Sequence, residues 1–295
     1  MTTRYEIHLD GVHASDLSLS VLRDLVDLIV EGTSRAARLA AEGRSTARGI
    51  APVWLAEASD VHLLGLREGS LALDVAVPPL AVMAPDAFST NAGETALDLF
   101  LGAVHDALHG QRDSERLDLG ILQTLLKTRS LFGRGPTGLR ITRATGYAIE
   151  ILESSVEKFQ KLATETPLPK IDRVVGVLDS LTVSTRTCLL KLADGTSLKG
   201  YLGTHLELDR WKPLLGLEVV VEGTVTFRPS GRPQRVDVDH VAPATVRDDL
   251  WKRAPQGELA REQLPLPTGE LTSYLGQWPG DEDDDQVFAA LRELS

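Results

Sequence analysis

The sequence predicts an α+β domain over residues 1–165, a small all-β barrel of the OB or SH3-like kind over 170–245, and an extended tail with a short C-terminal helix over 246–295. Three observations point there. Up to residue 165, alternating and helical apolar patterns mix without a βαβ rhythm, as α+β layering requires. After "TETPLPK" (164–170), with its two prolines in seven positions, the apolar period switches to two. From Ala244 onwards, Pro255, Pro265, Pro267 and Pro279 punctuate polar sequence, which predicts little fixed structure before a partner binds.

Each element follows from its own pattern. "RYEIHLDGV" alternates Tyr5, Ile7 and Leu9 on one face and reads as a strand with a glycine turn behind it. "SLSVLRDLVDLIVEGTSRAARLAAEG" places Leu19, Leu22, Val26, Ile29, Val30, Ala37 and Ala40 at helical spacing, with Ser18 or Ser20 as N-cap and Gly43 as the stop. "VHLLGLREGSLALDVAVP" is a hairpin turned at Glu68-Gly69. "GETALDLFLGAVHDALHG" and "LDLGILQTLLKTRSLF" read as two amphipathic helices, "TGLRITRA" as a strand and "SSVEKFQKLATE" as a polar helix that leads out.

The next 75 or so residues hold about five strand runs, with Asp194-Gly195 and Ser230-Gly231 as hairpin turns. Only "HLELDRWKPLLG" interrupts them, as a short helix or loop. Closing five short strands into a barrel removes the exposed edges an open sheet would leave.

Composition bounds the function. Hydrophobic content of 42% and charged content of 25% belong to a globular protein with sizeable cores. The start, "MTTRYEIHLDGV", lacks the apolar run of a signal peptide, and "SLALDVAVPPLAVMAP" contains Asp74 and three prolines, so no spanning helix is expected. The single cysteine, Cys188, fits a reducing compartment, and a cytoplasmic protein without membrane contact is expected. A formal net charge of -11 argues against a surface built throughout for phosphates. The charge is uneven: residues 170–245 carry 10 Lys+Arg against 9 Asp+Glu, whereas residues 246–295 carry 5 against 11.

Catalytic patterns are weak. "GRGPTG" (133–138) satisfies G-x-G-x-x-G, but a helix precedes it, Pro136 interrupts it and a strand follows, so it reads as a loop. His105 and His109 in "HDALH" stand one helical turn apart, yet Asp106 occupies the place where a zinc protease needs Glu, and no third ligand has sensible spacing. No serine sits in a nucleophile elbow. An enzyme is therefore not expected, nor a cofactor or a metal site. For nucleic acid, Tyr201, Trp211 and Phe227 stand among Lys199, Arg210, Lys212, Arg228, Arg232 and Arg235, and "FRPSGRPQR" is the best local patch. Arg228, Arg232 and Arg235 are its candidate phosphate contacts.

The tail carries the strongest signal. In "GQWPGDEDDDQVFAALRELS" (276–295), five consecutive acids stand where carboxylates favour a helix N-terminus. Val287, Phe288, Leu291 and Leu294 then form one apolar stripe, with Trp278 as an aromatic anchor ahead of it. About three helical turns are marginal in water, so the stripe needs a surface to dock on, its own domains or a partner's groove.

Residues 274–295 resemble the toxin-binding tail of bacterial type II antitoxins, especially partners of PIN-domain ribonucleases (the VapBC type). Those tails commonly read Gly-x-Trp-x-Gly-Asp-Glu before acids and an amphipathic end, and this chain supplies Gly276, Trp278, Gly280, Asp281 and Glu282 in that order. The match covers about 22 of 295 residues. It implies a toxin partner, a PIN-domain ribonuclease encoded nearby, bound by Trp278, Gly280, Asp281, Glu282, Val287, Phe288, Leu291, Arg292 and Leu294. By the same resemblance, Arg292 is the residue that plugs the toxin's acidic metal site. The alternative is a nucleic-acid-binding regulator or adaptor acting through the barrel.

Overall fold

The computed structural model describes residues 2–13, 17–47, 50–67, 70–83, 93–183 and 186–245, together with residues 248, 252 and 255. Met1–Leu259 cluster as one compact unit. The expected tail helix lies outside the described residues, as do the proposed toxin contacts from Trp278 to Leu294.

The N-terminal part is built on five strands: β1 (Thr3–His13), β2 (His62–Arg67), β3 (Ser70–Val77), β4 (Gly138–Arg143) and β5 (Ala148–Leu152). They pair in the order β2-β3-β1-β4-β5, antiparallel throughout. Period-two alternation decides which face is covered. Tyr5, Ile7 and Leu9 stand opposite Val75, Leu73 and Leu71 on one side, and Ile7 and Leu9 opposite Ile141 and Leu139 on the other. All of these are buried. Residues one step out of phase form exposed ion pairs instead, Arg67 with Glu6 and Asp74, and Arg140 with Glu150.

Helices cover the apolar face. They are α1 (Leu19–Glu42), α2 (Val53–Ala58), α3 (Leu80–Met83), α4 (Ala96–Leu108), α5 (Leu119–Leu125), α6 (Thr128–Phe132) and α7 (Ser155–Glu165). Val21, Leu25, Phe100, Ile121 and Phe159 bring α1, α4, α5 and α7 into the sheet core. Gly32 lets α1 lie against α4, for an added Cβ would stand 2.4 Å from the Phe100 ring. Thr95 caps α4 in a reciprocal box with Asp98, and its hydroxyl also meets the Tyr5 hydroxyl at 2.6 Å, tying helix to sheet.

Three expectations need correction. Leu19, Val26 and Val30 are exposed (82%, 44% and 44%), and Val21, Leu25 and Leu28 take the core instead. The helix bears apolar residues on both stripes, so periodicity alone does not choose between them. "LDLGILQTLLKTRSLF" is two helices, because near Leu126 the bonding tightens: the Lys127 N–H turns to Thr124 O, and the Thr128 hydroxyl takes Leu125 O. Strand β5 is an addition, paired with β4 from Gly138↔Leu152 to Thr142↔Ala148. The 133–138 glycine motif is the loop from α6 into β4, as read from the sequence.

Residues 170–243 form a closed barrel of β6 (Lys170–Thr182), β7 (Thr187–Lys191), β8 (Ser197–Leu202), β9 (Glu218–Phe227) and β10 (Pro233–Pro243). The order is β10-β8-β7-β6-β9, and β10 runs parallel to β8 but antiparallel to β9. Thirteen-residue β6 makes closure possible, pairing with β9 through its first half and β7 through its second, with a register shift between Leu178 and Ser180. Gly195 and Gly231 take left-handed φ values of 82° each at the two expected hairpin turns. Gly223 has no room for a side chain, since a Cβ there would lie 2.0 Å from Asp237 O on β10. "HLELDRWKPLLG" supplies two 3-10 turns with Trp211 between them, and Trp211 packs in the barrel core with Leu190, Val221 and Val236. Among the described residues no helix is long and apolar enough to cross a membrane.

Candidate functional site

The alternation that sends Leu198, Gly200 and Leu202 of β8 inward sends Lys199 and Tyr201 outward. On the parallel neighbour, Arg235 stands opposite Lys199 and Asp237 opposite Tyr201. On the antiparallel neighbour, Leu189 lies beside Lys199 and Thr187 beside Tyr201. Three adjacent strands thus present a cation–aromatic face, with the Arg235 guanidinium 3.5 Å from the Tyr201 ring centroid and Lys199 Nζ 5.3 Å from it.

That face is covered by the C-terminal end of α1. The last carbonyls of a helix lack internal partners and carry the negative end of its dipole, so they attract donors and cations. Lys199 Nζ and the Tyr201 hydroxyl both donate to Ala41 O, at 3.2 and 3.1 Å. Arg235 donates to Glu42 O and pairs with the Asp237 carboxylate, which Arg44 also approaches at 3.6 Å. Gly43, left-handed at φ 70°, ends the helix there, its N–H bonding Leu39 O at 2.8 Å.

Burial sets the electrostatics of this contact. It pulls the Lys199 ammonium below its usual range, and the neighbouring Arg235 charge adds to the effect. The Arg235 pKa is also lowered by burial, against the opposing pull of Asp237. The Tyr201 phenol is pushed up to about 12, chiefly by desolvation. Lys199 carries its charge against a carbonyl and a ring, whereas Arg235 has a carboxylate.

The hairpin tip between β9 and β10 docks on the 112–116 loop that follows α4. Arg228 pairs with Glu115 at 3.1 Å and donates to Asp113 O at 2.9 Å. Arg232 pairs with the Asp113 carboxylate at 3.3 Å, the Ser230 N–H bonds Arg112 O, and the Gln234 amide bonds Glu115 O. The three arginines expected to form a free basic patch are therefore distributed along an internal contact. Arg235 is 1% exposed, Arg228 18% and Arg232 66%, so only Arg232 presents its side chain largely to solvent. Of the three candidate aromatics, Trp211 and Phe227 lie in the core, and Tyr201 alone stands on the outer face.

Beside this contact is an open cleft of about 450 Å³, lined among others by Arg44, Asp118, Gln123, Thr224, Thr226 and Asp237. His105 and His109 stack, ring centroids 4.1 Å apart, with His109 Nδ1 at 2.8 Å from His105 O. Asp106 approaches His105 Nδ1 at 3.5 Å and is bonded by Ser114 and Arg116. Among the described residues no group of three or more His, Cys, Asp or Glu side chains is placed to hold a metal ion. The sequence reading missed the pairing of Lys199, Tyr201 and Arg235 with residues 41 and 42. Outward alternation in β8 and β10 was the available signal, but nothing local names the partner. Compared with known proteins, no family model matches this chain, and neither a curated protein nor a solved structure does.

Proposed function

We propose that this chain is an antitoxin-like, non-catalytic inhibitor in which residues 274–295 bind and neutralise a partner toxin, a PIN-type ribonuclease. The observation that carries this is the tail's chemistry: Trp278 and a Gly-Asp-Glu step, five acids, then the stripe Val287, Phe288, Leu291 and Leu294. An aromatic anchor with an amphipathic segment is the equipment of a helix-in-groove ligand, and the acids suit a basic rim around the groove. The compact unit ends at Leu259, ahead of the whole motif. In this reading the barrel is of the OB type, since its closure joins the third and fifth strands in parallel, and residues 1–245 act as the body that carries the tail. The rival reading, a regulator with a free basic hairpin, loses weight because Arg228 and Arg235 face Glu115 and Glu42 of the same chain.

Trp278→Ala decides between anchor and bystander. Loss of a buried aromatic anchor costs about 2 kcal/mol or more of binding, roughly thirtyfold in Kd. Titration calorimetry with the product of the adjacent gene reads this directly, and an unchanged Kd removes Trp278 from the interface. Arg292→Glu is expected to restore toxicity even where some binding remains, because it places an acid against the toxin's metal-binding carboxylates.

A further inference from the structure

We propose that the outward face of β7, β8 and β10 is a binding site for single-stranded nucleic acid, held closed in this conformation by the end of α1 and the 112–116 loop. Three independent features carry it, and it rests on the OB-type barrel but not on the tail. The first is chemistry. Lys199 and Arg235 flank the Tyr201 ring, and Arg228 and Arg232 stand at the neighbouring hairpin tip, so cations for phosphates lie in line with a ring for base stacking. In barrels of this type the ligand lies on the second and third strands and the loop between the fourth and fifth. Those are β7, β8 and the 229–232 tip here.

The second feature is what covers the face. The Ala41 and Glu42 carbonyls, at the negative end of α1, and the Asp113 and Glu115 carboxylates meet those same four cations. Oxygens strung along the cationic strip occupy it as a phosphate backbone would. The third feature is that the closure is imperfect. Thr226 Oγ1, Arg228 Nε and Gln234 Oε1, all on the barrel's side, are buried without a hydrogen-bond partner. Unpaired buried polar atoms weaken a contact. Of the two adjacent cations, Arg235 has the Asp237 carboxylate, which Arg44 also approaches, whereas Lys199 has a carbonyl and a ring. A polyanion competing for these cations therefore displaces a poorly satisfied partner, and its apparent affinity is the open-state affinity multiplied by the open fraction.

The test uses the full chain and a fluorescein-labelled oligo-dT of about 16 nucleotides, the upper site size for one such barrel. Neutralising the cover with Asp113→Asn and Glu115→Gln is expected to tighten binding about tenfold by raising the open fraction. The charge-matched control, Glu57→Gln with Asp60→Asn, stays near wild type. Adding Tyr201→Ala to the opened variant is expected to abolish most of the gain. Equal tightening in the control, or a gain that survives Tyr201→Ala, overturns the proposal. Should the opened variant not fold, hydrogen exchange in the wild-type chain decides. Bound oligonucleotide is expected to speed exchange at residues 41–43, where α1 loses its caps. Absence of binding at low salt, or binding with unchanged exchange there, refutes the site.

Discussion

Cys188 shows how one buried group couples the barrel to pH. Its sulfur faces Gly200 across the β7–β8 ladder, where even a Cβ would stand 2.5 Å from it. Burial pushes the thiol up to about 12 from the usual 9.0, outweighing a backbone hydrogen bond from Gly200. The unfolded chain therefore releases this proton first as pH rises. Between about pH 9 and 12 the folded state holds more protons, so stability conferred by the neutral thiol is present below pH 9 and is lost through that window. Urea melts at about pH 8 and about pH 10 should show a smaller loss in Cys188→Ala than in wild type, by about 1 kcal/mol. Identical losses would mean that the thiol ionises as freely folded as unfolded. At this scale the sequence was informative about type but not placement. Cys188 reads correctly as a strand residue, whereas Arg235 reads as a surface phosphate contact and is buried against Glu42 O, because a parallel neighbour and a distant helix end close over it.

Caps and turns were legible at the scale of elements because their chemistry is local. Ser18 accepts the Val21 N–H, Gly43 takes the left-handed conformation, and Gly195 and Gly231 turn the two barrel hairpins. Faces were less legible where a helix carries two apolar stripes. In α1 the structure buries Leu25 and exposes Val26 and Val30. Leu25→Ala should cost about 2–5 kcal/mol in denaturant unfolding, whereas Val26→Gln and Val30→Gln should each stay within about 0.5 kcal/mol. A large loss from either valine substitution would mean that this face is covered after all. The break between α5 and α6, where the Lys127 N–H turns to Thr124 O and the Thr128 hydroxyl bonds Leu125 O, leaves no trace in hydrophobic periodicity. Strand β5 is only five residues, with Ile149 and Ile151 as its whole alternating signal.

For the whole molecule, the change of period after Pro169 located the barrel, and the strand count followed from runs and turns. The contact between barrel and N-terminal part was not legible, because its bonds join residues 113 to 193 positions apart, from Arg228–Glu115 to Arg235–Glu42. Nothing in either segment specifies the other. The tail is the reverse case, a motif plain in sequence that lies outside the described residues. If residues 274–295 are the inhibitor, a chain truncated after Glu270 should keep the thermal transition of residues 1–245, since the Pro-rich polar stretch separates them from the motif. The most direct measurement is co-expression of that truncated chain with the product of the adjacent gene, scored for cell survival and for co-purification. The expected result is loss of both, with protection restored by the full-length chain. Survival together with co-purification of the truncated chain would contradict the inhibitory role of the tail.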